Sequence, residues 1–179
     1  DHRYLHSFPT RRSADLLKGR ESKPFTLHLG DPAEAARLAQ PLPDCARRLA
    51  ERYWPGSLTL VVEAAGGGTV GLRVPSRLFT RAVLRAAARN GAPVAMASAN
   101  LPGLPAPASA DAVAEALGER VDLIVDGGPA ELGEASTVVR ALRPRLELLR
   151  TGTLTAAEVE RTRSEERRVG KKCRSRWSP

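Results

Sequence analysis

The sequence predicts an α/β domain on a twisted mixed sheet with flanking helices, in a single domain. Three observations carry that reading. Segments with two-residue apolar alternation interleave with segments of helical periodicity, short glycine and proline clusters punctuate them, and 42% of the 179 residues are hydrophobic, enough for one sizeable core.

The elements follow in order. FTLHL (25–29) alternates as a strand, and Asp31-Pro32 supplies an N-cap and a first-turn proline for DPAEAARLAQ. Pro43 opens a second helix, PDCARRLAERYW, whose Cys45, Leu49 and Tyr53 fall on one face. LTLVVEA (58–64), a glycine turn at 66–68 and VGLRV (70–74) read as a hairpin. A helix over 77–89 precedes an apolar strand, PVAMAS (93–98), then a proline-rich loop and a helix over 109–117. VDLIVD (121–126) and STVVRAL (136–142) read as strands around a glycine-rich loop, and LELLR (146–150) is expected to close the sheet. Trp54 in WPG reads as a packing wedge, and Cys45 as a small core residue.

The net charge of +8 points at first to a polyanionic partner. Its distribution argues otherwise. Residues 163–179 hold seven Lys/Arg against two Glu, whereas residues 17–162 hold 18 basic and 16 acidic side chains and are close to neutral. Both ends resemble translated sequencing adapter. RSEERRVGKKCRSRWSP (163–179) departs from one such translation only at Lys172, and DHRYLHSFPTRRSADL (1–16) departs from another only at Tyr4 and Ala14. Residues 1–16 and 163–179 are therefore expected to be non-native and to pack poorly, with the domain confined to 17–162. No run of about 18 apolar residues and no apolar signal core occur, so cytoplasm is the expected compartment and no membrane partner is expected.

Two pairs stand out as candidate ligand groups. Ser98 and Asn100, two apart after an apolar strand, place compact hydrogen-bonding groups where ligands bind in open α/β sheets. Lys18 and Arg20 in LKGRESKPF have the same spacing, and two cations on one side of an extended chain suit a polyphosphate. Either pair alone also reads as ordinary turn chemistry or solvated charge.

Taken together, LKGRESKPFTLHL, RYWPGSLTLVV, GLRVPS, SANLPGLPAP, VDLIVDGG, STVVR and LLRTG, in that order, resemble the threonylcarbamoyl-AMP synthase (YrdC-like) family over nearly all of 17–162. The resemblance implies an enzyme that makes threonylcarbamoyl-adenylate from L-threonine, bicarbonate and ATP with Mg2+, releasing pyrophosphate. The adenylate would feed N6-threonylcarbamoyl modification of adenosine 37 in tRNA through separate transfer proteins. By resemblance Lys18 and Arg20 would be catalytic and would bind the triphosphate, with Ser98, Asn100 and Arg150 completing the ATP site. Arg73 would take the threonine carboxylate, and His28 and Ser136 its amine and hydroxyl. No protein metal site is implied.

Three departures from the family pattern are visible: Pro102 for the Ser of SANxSG, Ser57 for the second Pro of WPGPLT, and Thr151 for the Pro of LRPG. The family's opening strand, with its Pro-Thr motif and Tyr-Gly-Leu, should precede Lys18 where the adapter-like segment stands, so a shortened and inactive chain is expected. Two alternatives are kept: a carbamoyl-adenylate-forming domain of a hydrogenase-maturation carbamoyltransferase, and a non-enzymatic RNA-binding module. The near-neutral span 17–162 weighs against the last, because phosphate affinity needs several localised cations.

Overall fold

The computed structural model describes residues 26–91, 93–101, 103–130, 135–142, 145–167 and 174–175. These fall into two compact units, one holding the described residues of 25–94 and 134–179, the other those of 95–133.

The larger unit is built on a mixed sheet in the order β1-β3-β2-β5-β6-β7. Its strands are β1 (Thr26–His28), β2 (Leu58–Glu63), β3 (Thr69–Arg73), β5 (Thr137–Leu142), β6 (Arg145–Arg150) and β7 (Arg174–Ser175). β2 and β3 form the expected hairpin. Gly67 and Gly68 adopt φ of 92° and 71°, a region closed to most side chains, and Ala64 N donates to Gly68 O at 3.0 Å across the turn. β1 pairs in parallel with β3, and β5 in parallel with β2.

Helices flank this sheet, and those at 35–38, 44–53 and 156–167 contribute to its core. α1 (Ala35–Leu38) follows a 3-10 turn capped by Asp31, whose carboxylate accepts from Ala33 N at 3.0 Å. α2 (Asp44–Tyr53) buries Cys45, Ala46, Leu49 and Ala50. α3 (Leu78–Arg89) matches its expected span. α5 (Ala156–Arg167) was not anticipated, although TAAE (155–158) is a capping box. The Glu158 carboxylate accepts from Thr155 N at 2.8 Å, and Thr155 Oγ1 accepts from Glu158 N at 3.3 Å. Tyr53 OH donates to Glu158 O at 3.1 Å and lies 3.3 Å from Thr162 Oγ1, so α2 and α5 are latched over the core.

Two boundaries differ from expectation. α5 runs through residue 162, and β7 pairs in parallel with β6, so β6 does not close the sheet. Phe8 and Trp177 lie outside the described residues. The core is the row Leu27, Leu72, Leu60, Val139 and Leu148, register partners across five strands, packed with Leu49 and Val159.

In the smaller unit, α4 (Ala110–Leu117) is capped by Ser109, whose Oγ accepts from Ala112 N at 3.2 Å. The expected strand VDLIVD does not form. Residues 121–126 join none of the described ladders, and Leu123 and Val125 are 77% and 55% exposed. Asp126 instead turns the chain by accepting from Gly128 N at 2.8 Å. PVAMAS shortens to β4 (Val94–Met96), which straddles the division between units and leaves Ala95 and Met96 exposed.

Candidate functional site

The row of residues beside the apolar one has a different chemistry. His28 is the register partner of Arg73, Arg73 of Thr59, Thr59 of Val138, and Val138 of Arg150. Partners across a ladder point to the same side, and neighbouring residues along a strand to opposite sides. The Leu27-Leu72-Leu60-Val139-Leu148 row faces the helices, so the His28-Arg73-Thr59-Val138-Arg150 row lies on the opposite face.

Arg150 reaches that face through an irregularity. The β5–β6 register shifts between Val138 and Val139, pairing Val138 with Arg150 and Val139 with Leu148, so Leu149 is an extra residue. Without that bulge, alternation along β6 would send Arg150 to the core side with Leu146 and Leu148. A bulge that re-aims one side chain is a common device beside binding sites.

Hydrogen bonds then lock the row. Arg150 donates through Nε and Nη2 to Ser136 O, at 3.1 and 2.8 Å, and through Nη2 to Ser136 Oγ at 3.2 Å. Ser136 Oγ lies 2.9 Å from Thr59 Oγ1, and both residues are buried. Arg73 Nε donates to Gly56 O at 3.2 Å, while Gly56 N donates to Val74 O at 2.8 Å. The WPG turn is thus an anchor for the guanidinium. Trp54 is buried, with Nε1 donating to Leu58 O at 2.8 Å, as expected of a packing wedge.

The backbone around Ser136 is fixed from the opposite side by Thr137. Its hydroxyl donates to Leu154 O at 2.7 Å and accepts from Gly152 N at 2.9 Å and Leu154 N at 3.0 Å. A Cβ at Gly152 would run into Ala135 O and the backbone of Ser136 and Thr137, so this loop can close only over a glycine.

The electrostatics suit an anion. Among the described residues neither Arg73 nor Arg150 has a carboxylate within ion-pair distance. Burial and then the charge of Arg150 push the Arg73 pKa down. Burial, followed by the Arg73 charge, lowers the His28 pKa to about 4, against a weaker opposing bond to Thr26 O. His28 is therefore neutral at pH 7. Its Nδ1 lies 3.3 Å from Thr26 O and must carry the proton to make that bond, which leaves Nε2 as an acceptor. One end of the face offers a neutral acceptor, and the rest offers cations and hydroxyls.

Of the sequence-predicted residues, the structure brings together His28, Arg73, Ser136 and Arg150. Lys18 and Arg20 lie outside the described residues, as does Pro102. Ser98 and Asn100 belong to the smaller unit. There Ser98 is exposed, and Asn100 Nδ2 donates to Leu104 O at 2.6 Å, tying the loop to itself. Sequence reasoning missed Thr59, Gly56 and Thr137. Thr59 left a signal: it is the one hydroxyl in the strand LTLVVE. Among the described residues no group of three or more His, Cys, Asp or Glu could hold a metal ion, and no helix is long and apolar enough to cross a membrane.

Comparison with known proteins shows the family. The Sua5/YciO/YrdC family model, described as telomere recombination, matches residues 15–152, through both compact units. A Bacillus subtilis relative named threonylcarbamoyl-AMP synthase is 38% identical over 154 residues, covering 80% of this chain and 44% of that protein. A Mycobacterium tuberculosis relative is 32% identical, covering 86% of this chain and 74% of its own length. The crystal structure of Pyrococcus abyssi Sua5 complexed with L-threonine superposes with a TM-score of 0.74 at 34% identity, covering 86% of this chain and 47% of that one. The chain spans less than half the length of the Bacillus and Pyrococcus proteins. It belongs to the Sua5/YciO/YrdC family.

Proposed function

We propose that the chain carries the threonylcarbamoyl-adenylate-forming activity of its family, using L-threonine, bicarbonate and ATP and releasing pyrophosphate. The observation that carries this reading is the face holding His28, Arg73, Thr59, Ser136 and Arg150. Arg73 and Arg150, without an acidic partner among the described residues, two buried hydroxyls and a neutral imidazole match an α-amino acid that bears a carboxylate, a nitrogen and a hydroxyl, held beside an anionic nucleotide. Relatives named threonylcarbamoyl-AMP synthase support the same substrate.

In this reading Arg73 takes the threonine carboxylate as a planar fork, and His28 Nε2 accepts from a donor on the substrate. The threonine amine and bicarbonate give the carbamate with loss of one water, and the carbamate oxygen then attacks the α-phosphorus of ATP. The new P–O bond forms as the bond to the bridging oxygen breaks and pyrophosphate leaves. Two anions must meet in that step, so cations are required around it. Lys18 and Arg20 are assigned to the triphosphate, with Ser98, Asn100 and Arg150 also on the nucleotide. Mg2+ enters on the triphosphate as part of the substrate. Partner proteins would transfer the product to tRNA, and the cytoplasm would supply all three substrates.

The experiment is pyrophosphate release from MgATP, measured on the chain as it stands and on a version whose residues 1–16 are replaced by the opening segment of the Bacillus relative. The reading expects release that requires both L-threonine and bicarbonate and is faster in the second protein. Equal ATP cleavage without threonine would remove the substrate assignment.

A further inference from the structure

Ser136 Oγ stands at the centre of the polar face with two neighbours of different kinds. Arg150 Nη2, 3.2 Å away, belongs to a guanidinium and can only donate. Thr59 Oγ1, 2.9 Å away, can donate or accept. The choice decides what Ser136 offers to a ligand. If Ser136 spends its proton on Thr59, it retains a lone pair and receives a ligand donor. If Thr59 donates instead, both lone pairs of Ser136 are taken and its own proton is left for a ligand acceptor.

Access to a ligand decides between them, because both residues are buried. Thr59 is 3% exposed, and among the described residues its hydroxyl has one hydrogen-bond partner, Ser136 Oγ. Were Thr59 to accept, its own proton would be buried with no acceptor, whether or not a ligand is bound. Were Thr59 to donate, that proton is satisfied, and the one left over is that of Ser136, which in the substrate reading borders the ligand and is satisfied by it. The Ser136 proton then points to the side on which Arg73 and Arg150 set a positive potential, which suits an anionic acceptor.

We infer that Thr59 is a positioning residue that donates to Ser136 Oγ, so that Ser136 acts toward its ligand only as a hydrogen-bond donor. The inference rests on reading this face as the L-threonine subsite, and it refines that reading. Ser136 does not receive the substrate amine. It meets a carboxylate oxygen or the substrate hydroxyl oxygen, while His28, with Nδ1 bonded to Thr26 O, is the acceptor on the opposite flank. The subsite is polar in one sense, with acceptor at β1 and donors toward β6, so it selects one orientation of an amino acid.

Two measurements on the 179-residue chain test this. The first needs no ligand: proton NMR of the hydroxyls, in which Thr59 Hγ1 should be a slowly exchanging resonance with cross-relaxation to the Ser136 β-protons. A missing Thr59 hydroxyl resonance, or a Ser136 hydroxyl proton showing cross-relaxation to the Thr59 side chain instead, overturns the inference. The second is L-threonine titration of Thr59→Val, Thr59→Ser, Ser136→Ala and the Thr59→Val/Ser136→Ala double variant. Thr59→Val should weaken binding about 3- to 10-fold, the range of one neutral hydrogen bond, and Thr59→Ser should restore it. In the Ser136→Ala background Thr59→Val should add less than about 2-fold, because its effect runs through Ser136. Full additivity, or failure of Thr59→Ser to restore affinity in a folded protein, overturns it. If the unaltered chain binds no L-threonine, the substrate reading fails while the hydroxyl resonances still decide the direction of the Thr59–Ser136 bond.

Discussion

His28 and Arg73 face each other as register partners across the parallel β1–β3 ladder, and the imidazole sits there with its pKa lowered to about 4 by burial and by the Arg73 charge. Folding therefore asks His28 to stay neutral where the unfolded chain would protonate it. Below the ordinary value of 6.5 the unfolded state binds more protons, so stability falls as pH drops from about 6.5 to about 4 and levels off below that. Urea unfolding at pH 7, 6, 5 and 4 should show a loss of up to about 3 kcal/mol from this group. His28→Gln should remove that part of the slope, leaving the carboxylates' contribution.

The same pair gives a prediction by NMR titration. Arg73→Gln removes the smaller of the two causes that depress His28, so the imidazole pKa should rise from about 4 but stay below 6.5, because burial remains. A pKa unchanged by the substitution would mean that the two side chains do not share one face.

Thr137 should be costly to replace. Thr137→Val keeps the shape but strands Gly152 N, Leu154 N and Leu154 O, which the hydroxyl now satisfies. Denaturant unfolding should show a loss of about 2–4 kcal/mol, several times that of an exposed hydrogen bond. Loss of under 1 kcal/mol would mean that the 152–154 loop is held by something other than this hydroxyl.

The latch between α2 and α5 is weaker. Tyr53→Phe removes the bond to Glu158 O and the contact with Thr162, while leaving the ring in place. A loss of about 1 kcal/mol is expected by the same unfolding measurement.

How much of this was legible in the sequence varied with the physics behind each element. The hairpin was readable because Gly66–Gly68 sits between two alternating runs, and positive φ at Gly67 and Gly68 is what such a turn demands. His28 and Arg73 were readable from resemblance, and strand alternation with Leu27, Leu29, Leu72 and Val74 already sets them on the non-core side. VDLIVD misled because an apolar run becomes a strand only where another strand offers its edge, and residues 121–126 join no described ladder. α5 was missed because its sequence, AAEVERTRSEER, is mostly charged; only the capping box and the buried Val159 and Thr162 mark it. The bulge at Leu149 left no trace in LELLR, yet it decides on which face Arg150 stands. Nor could spacing reveal the Thr59–Ser136 bond, since 77 residues separate its partners.

The central claim is that one sheet face, at His28, Thr59, Arg73 and Ser136, binds the amino-acid substrate. An NMR titration of the 179-residue chain with L-threonine tests it most directly, following backbone resonances through the larger unit and repeating the titration with Arg73→Gln. The account predicts saturable shifts centred on His28, Thr59, Arg73 and Ser136, and an affinity at least about 10-fold weaker in a folded Arg73→Gln, the loss expected for a charge-assisted pair. Shifts centred elsewhere, or an affinity indifferent to Arg73, would contradict it.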